Sequence, residues 1–286
     1  MENYQQFKVL SWAFSFLKEH GREERVAEIL LQYHLSVDRA TFHMNMREPI
    51  PLEVWQAFKS DIEQHAQTGV PVQHLIGHEY FFGRKFYVNE QVLIPRMETE
   101  ELVLYVINQV KQLTNMEDIT IVDVGTGSGV IAVTLAKELT DVEIYATDIS
   151  ENALQIAKEN ARLHEANINF FQGDFLQPII NQKLEPDVVV ANPPYISEKE
   201  AASLLDTVKD YDPALALFAD EEGLAAYREI LQQIKENLST VKHIFFEVGY
   251  EQKADITQLV SSYFPNSTTI CIKDINKNDR IIAISL

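Results

Sequence analysis

The stretch Ile121-Val122-Asp123-Val124-Gly125-Thr126-Gly127-Ser128-Gly129-Val130-Ile131-Ala132 runs from an apolar strand, through three alternating glycines, into a helix. In open α/β sheets such a first turn seats a nucleotide-like ligand, because glycine lets backbone atoms approach it closely. A dinucleotide fingerprint would place its third glycine at position 130, which is Val130, so NAD is disfavoured. Downstream the chain alternates short apolar runs with helical segments. The runs are Ile119–Val124, Val142–Thr147, Ile168–Phe171, Asp187–Ala191, His243–Val248, Thr268–Ile272 and Arg280–Ile284. That alternation predicts a mostly parallel sheet with helices on both faces. Only Lys273 to Asp279 join the last two runs, too little for a helical crossover, so these should pair antiparallel at the sheet edge.

Asp148, about 20 residues past the glycines, lies where an acceptor for ribose hydroxyls is expected; otherwise it simply precedes a helix capped by Ser150. After the third run comes Gly173-Asp174-Phe175, where Asp174 or Phe175 could border an adenine ring, Phe175 by packing on its face. The fourth run is followed at once by Asn192-Pro193-Pro194-Tyr195. Two prolines stiffen the backbone and remove two N–H donors, so the turn presents carbonyls without a competing donor. Asn192 adds a side-chain carbonyl and Tyr195 a flat ring. A planar NH2 group could donate one hydrogen to Asn192 and the other to the Pro193 carbonyl while lying against Tyr195. An amide or aryl amine nitrogen is a poor nucleophile because its lone pair is delocalised. Fixed acceptors on both hydrogens favour a pyramidal nitrogen and aim its lone pair at an electrophile. No strong base is needed, since the proton becomes acidic only as the new N–C bond forms.

The first 67 or so residues show helical periodicity, with Phe7, Leu10, Phe14 and Leu17 on one stripe before Gly21, then Val26, Ile29, Leu30 and Tyr33. Ser36 is expected to cap a third helix and Pro51 to open a fourth carrying Leu52, Trp55, Phe58 and Ile62. Residues 80–88 read as a hairpin around Gly83, and Leu102 to Leu113 as a helix. The expected division is a helical domain over 1–70, a hairpin linker over 71–95 and an α/β domain over 96–286. The charge is −19, from 24 Lys+Arg against 43 Asp+Glu. Residues 1–95 hold 9 basic and 12 acidic residues and the remainder 15 and 31, so the excess sits in the second part. Such a balance opposes sequence-blind attraction to nucleic acid phosphates. No stretch approaches the roughly 20 apolar residues of a membrane helix, and no basic leader stands at the start, so a cytoplasmic monomer is expected. The one cysteine, Cys271, cannot make an internal disulfide or a cysteine-rich metal site, and reads as a buried strand position.

Taken together these residues resemble the class I S-adenosylmethionine methyltransferases, and within them the HemK/PrmC family of protein-glutamine N5-methyltransferases. The likeness covers nearly the whole chain. Its stretches are Pro71–Gly77, Leu93-Ile94-Pro95-Arg96 running to Thr99-Glu100, Asp123–Gly129, Asn192–Tyr195 and Tyr211–Leu217. Met97 stands where the family usually has proline, and Phe175 where some members have tryptophan. The resemblance implies a Rossmann-like sheet of seven strands, a small N-terminal helical bundle that recognises the substrate, and a hairpin linker. It further implies S-adenosylmethionine as cofactor, S-adenosylhomocysteine as product, and the glutamine of the Gly-Gly-Gln loop in class I peptide chain release factors as substrate. Carried onto this chain, Gly125, Thr126, Gly127, Ser128 and Gly129 would hold the methionine part, Asp148 the ribose and Phe175 the adenine. Asn192, Pro193, Pro194 and Tyr195 would grip the amide, and Ile94 to Glu100 is expected as a loop walling the pocket. A ribosomal-protein glutamine remains an alternative substrate with identical chemistry. Adenine N6 in nucleic acid is a second alternative, against which the charge argues.

Overall fold

The computed structural model describes residues 4–113, 119–197 and 206–286, which divide between two compact units. The first lies within Met1–Gly77 and Leu205–Tyr211, the second within His78–Leu204 and Asp212–Leu286. The first unit packs helices α1 (Gln6–Glu19), α2 (Arg25–Leu35), α3 (Arg39–Met44), α4 (Leu52–Thr68) and α5 (Val72–Ile76) around Leu10, Leu17, Leu30, Leu31, Phe42, Phe58 and Ile62. The buried face of α1 is Gln6, Val9, Leu10, Ala13 and Leu17; of the expected stripe Leu10 and Leu17 are buried and Phe14 packs against the cluster partly buried, but Phe7 is 42% exposed. Gln6 is tolerated inside because its Nε2 donates to the Phe42 carbonyl at 2.8 Å. In place of Ser36, which adopts φ 53° at the end of α2, Asp38 caps α3 by accepting from the Thr41 N–H at 2.7 Å.

The second unit opens with the hairpin β1 (His78–Phe81) and β2 (Arg84–Tyr87), followed by α6 (Met97–Gln112). Helix α6 starts five residues earlier than periodicity suggested. The segment 97–100 is therefore its first turn rather than loop, with Glu98 and Glu100 favourably placed at the positive end of the helix dipole. Then strands and helices alternate through β3 (Ile119–Val124), α7 (Val130–Glu138), β4 (Val142–Asp148), α8 (Glu151–Leu163), β5 (Asn169–Gln172), α9 (Gln177–Asn181) and β6 (Val188–Ala191). The next helix in the chain, α10 (Asp206–Lys209), belongs to the first unit; in the second, short helices α11 (Ala214–Leu217) and α12 (Asp220–Gly223) precede α13 (Ala225–Asn237), β7 (His243–Glu247), α14 (Lys253–Tyr263), β8 (Thr268–Lys273) and β9 (Asp279–Ser285).

The seven strands β3 to β9 form one sheet in the order β5-β4-β3-β6-β7-β9-β8, in which β9 alone runs opposite to the other six. Helices α6 and α7 cover one face and α9, α13 and α14 the other, so the central strands are apolar on both sides. Every residue of β6 is buried. Cys271, by contrast, is only half-buried, because β8 is an edge strand with no fully buried position. From β3 the chain winds outward one way through β4 and β5, and from β6 the other way through β7. Between β3 and β6 the winding direction reverses, the point at which open α/β sheets have their ligand crevice. No helix among the described residues is long and apolar enough to cross a membrane.

Candidate active site

Val124, the last residue of β3, pairs with Ala191, the last of β6, so the glycine turn and Asn192-Pro193-Pro194-Tyr195 leave the sheet side by side at the crevice. In the glycine turn, the N–H groups of Gly125 and Thr126 both donate to the Thr147 carbonyl at 2.9 Å, folding the chain over the end of β4. Gly125 and Gly127 take φ of 73° and 55°, and a Cβ on either would project into open space, so this face of the loop is bare. Gly129 has another function: a Cβ there would stand 3.1 Å from Ala157, so its absence lets α7 lie close to α8. The side chains of Thr126 and Ser128 are buried, and the Thr126 hydroxyl donates to Asp123 Oδ2 at 2.6 Å. Any contact these two make with a ligand is therefore through the backbone.

Asp123 is fully buried beneath the turn. Burial pushes its carboxyl up to about 7, opposed by the Thr126 hydroxyl and the Ala132 N–H, which donates to Oδ2 at 3.2 Å. Its Oδ1 has no hydrogen-bond partner among the described residues. Asp148 ends β4, accepting from Gly127 N–H at 2.8 Å and from Ser150 N–H at 2.9 Å. Burial raises its carboxyl and these N–H groups lower it. Two N–H bonds fix the rotamer of Asp148 and leave further lone pairs for the hydroxyls of a diol. Ser150 meanwhile caps α8, as expected, by accepting from Ala153 N–H at 3.2 Å. Phe175 follows β5 in a left-handed conformation at φ 43°, half-buried against the α9–α13 side of the core. A bare glycine face, an oriented carboxylate and a buried oxygen without a partner together fit a ligand that carries a ribose and a cationic or amino group.

On the β6 side, Pro193 is buried and Asn192, Pro194 and Tyr195 are half-buried. The Tyr195 carbonyl accepts from Gln252 Nε2 at 3.0 Å, which pins the far end of the turn. Burial first, then the nearby Glu247 carboxyl, push the Tyr195 phenol up to about 12, so it stays neutral. Three residues assigned no individual role from sequence, Thr99, Asp212 and Glu247, complete this side. Asn192 Nδ2 donates to Thr99 Oγ1 at 3.2 Å, and Thr99 donates to Glu247 Oε2 at 2.7 Å. Thr99 comes from the first turn of α6 and Glu247 from the end of β7, next to the register pair Ala191 and Phe246. Asp212 is buried, accepting from Arg96 at 2.7 Å and from the Ile94 N–H at 3.2 Å, so the 93–96 and 211–217 stretches are fastened together. The available sequence signal was an acid, Glu247, inside a run otherwise read as a doubly buried strand.

Residues 8–77 match the family described as PrmC N-terminal domain, and residues 108–209 the one described as methyltransferase small domain. Along nearly its full length the chain is similar to curated proteins named release factor glutamine methyltransferase. It is 42% identical to that of Bacillus subtilis strain 168, over 96% of each chain, and 40% identical to that of Bacillus anthracis, over 96% of this chain and 97% of the other. Among solved structures, the N-terminal domain of human METTL16 in complex with SAH shares the fold, with TM-score 0.53 and 14% identity over 89% of this chain and 93% of that one.

Proposed function

The chain belongs to the family of release factor glutamine methyltransferases, and on that premise we propose its reaction in full. It transfers a methyl group from S-adenosylmethionine to the side-chain amide nitrogen of the glutamine in the Gly-Gly-Gln motif of class I peptide chain release factors, leaving S-adenosylhomocysteine. The observation carrying this reading is that the bare glycine turn and the Asn192–Tyr195 turn leave adjacent strands at the same crevice. S-adenosylmethionine, when bound, supplies a sulfonium methyl group that a nitrogen lone pair can take. Gly125 to Gly129 would hold its methionine part, Asp148 the ribose hydroxyls and Phe175 the adenine, with Asn192 bordering both ligands.

The remaining work falls to the substrate side. Asn192 Oδ1 and the Pro193 carbonyl each accept one hydrogen of the glutamine amide, and Pro194 keeps the turn rigid while Tyr195 flanks the amide plane. So held, the nitrogen lone pair is drawn out of conjugation and pointed across the crevice. One N–H proton leaves to water as the N–C bond forms, and no strong base is required. Residues 1–70 would recognise the body of the release factor, with 71–95 as the connecting hairpin segment and 96–286 as the catalytic domain.

Mass spectrometry of candidate substrates incubated with enzyme and S-adenosylmethionine tests the reading. A 14-dalton gain on the Gly-Gly-Gln peptide of a release factor, absent from ribosomal proteins and from an adenine oligonucleotide, is the expected result. Methylation of only one of the latter two would refute the substrate assignment.

A further inference from the structure

The two ends of an asparagine carboxamide differ in hydrogen-bonding character, the oxygen accepting and the nitrogen donating. A glutamine NH2 offers hydrogens, so an Asn192 turned the wrong way would set two NH2 groups against each other. The chain from Asn192 through Thr99 to Glu247 removes that freedom. Its direction is set at the far end. An ionised carboxylate only accepts, so Thr99 gives its single hydroxyl proton to Glu247 and keeps its oxygen to accept from Asn192 Nδ2. Asn192 Nδ2 is thereby occupied inward and Oδ1 is left to face the crevice. Thr99 and Glu247 are 4% and 1% exposed, so water does not compete for either bond.

We infer that Thr99 and Glu247 are positioning residues that lock the Asn192 carboxamide with its oxygen toward the glutamine nitrogen. The inference rests on the reading of Asn192 as amide acceptor. It gives Thr99 a role within the stretch running from Leu93 to Glu100, and it explains an acid at the end of an apolar strand. Glu247 is flanked by Arg280 from β9, Glu98 from α6 and the phenols of Tyr195 and Tyr227. Burial raises its carboxyl to about 7, so the chain has a single direction above that pH.

The test is made with full-length enzyme at pH 8.5, using saturating S-adenosylmethionine and whole release factor. Thr99→Val removes the hydroxyl and keeps the shape; its kcat should fall roughly tenfold or more, with KM and calorimetric cofactor affinity within about twofold of wild type. Thr99→Ser should regain most of the loss. In an Asn192→Ala background, Thr99→Val should cost nothing further, since there is no carboxamide left to orient. If Thr99→Val melts early, Thr99→Ala replaces it in every arm. Normal kcat in Thr99→Val, no recovery in Thr99→Ser, or an undiminished penalty in the Asn192→Ala background would each overturn the inference and leave the amide clamp standing. Wild-type turnover in Asn192→Ala alone would instead remove the clamp reading, and the inference with it.

Discussion

Asn160, on α8, is fully buried and serves two separate pieces of backbone. Its Oδ1 accepts from Tyr87 N–H at 2.7 Å, and its Nδ2 donates to the Tyr87 carbonyl at 3.0 Å and to the Ser128 carbonyl at 2.8 Å. One side chain thus ties the β1–β2 hairpin to the glycine turn. Asn160→Ala removes three hydrogen bonds, each worth about 1 kcal/mol net, and strands a buried Ser128 carbonyl at an additional cost of about 1 kcal/mol. The expected loss is roughly 3–4 kcal/mol, or on the order of 10 °C for a unit of this size. Urea unfolding followed by far-UV circular dichroism is the assay. Tryptophan fluorescence is unsuitable, because Trp12 and Trp55 both lie in the helical unit. Asn160→Asp should be no better, since it keeps the acceptor but turns a carboxylate toward two carbonyls. A loss below about 1 kcal/mol in Asn160→Ala would refute the view that this side chain braces the turn.

Asp148→Ala should weaken S-adenosylmethionine binding by roughly 10- to 150-fold, as a charge-assisted hydrogen bond worth about 1.5–3 kcal/mol is lost; titration calorimetry reads this directly. Gly127→Ala places a Cβ in the bare face of the turn at φ 55°, so cofactor affinity should fall by more than the roughly 1–2 kcal/mol of backbone strain seen in unfolding. Asp123 is held about 7 in the fold against an ordinary value of 3.8. A raised carboxyl binds its proton more tightly when folded, so its contribution is present below about pH 4 and is lost as pH rises toward 7. Stability of the unliganded wild type minus that of Asp123→Asn should therefore grow by about 1.4 kcal/mol per pH unit on acidification from pH 7 to 5, and a flat difference would contradict the burial of an uncompensated acid.

The sheet was legible because strands buried on both faces read as unbroken apolar runs, as in Val188–Ala191, and because turns and helices separate them at regular intervals. The glycine turn and Asn192–Tyr195 were legible for the same reason: each is contiguous in sequence. The link from Asn192 through Thr99 to Glu247 was not, since its members come from three elements separated by 93 and 148 positions and no local pattern joins them. On α1, Leu10 and Leu17 of the expected stripe face the core but Phe7 does not, and small Ala13 and Val9 stand there as well, where helices approach closely. Ser36 carried the residue type of a cap but closes α2 instead, two residues before Asp38 supplies the cap of α3.

Phe81 and Phe86 of the hairpin are 1% and 0% exposed, sunk in the same apolar cluster as Leu102, Val106 and Ile131. Trimming each to alanine would cost about 3–5 kcal/mol, so deleting both would consume much of the 5–15 kcal/mol that holds an ordinary domain together. A shortened version of the enzyme beginning at residue 90 would therefore start life with a hole in its interior. The natural place for the scissors is between Gly77 and His78, where removing the N-terminal helices would leave both phenylalanines in the α/β unit.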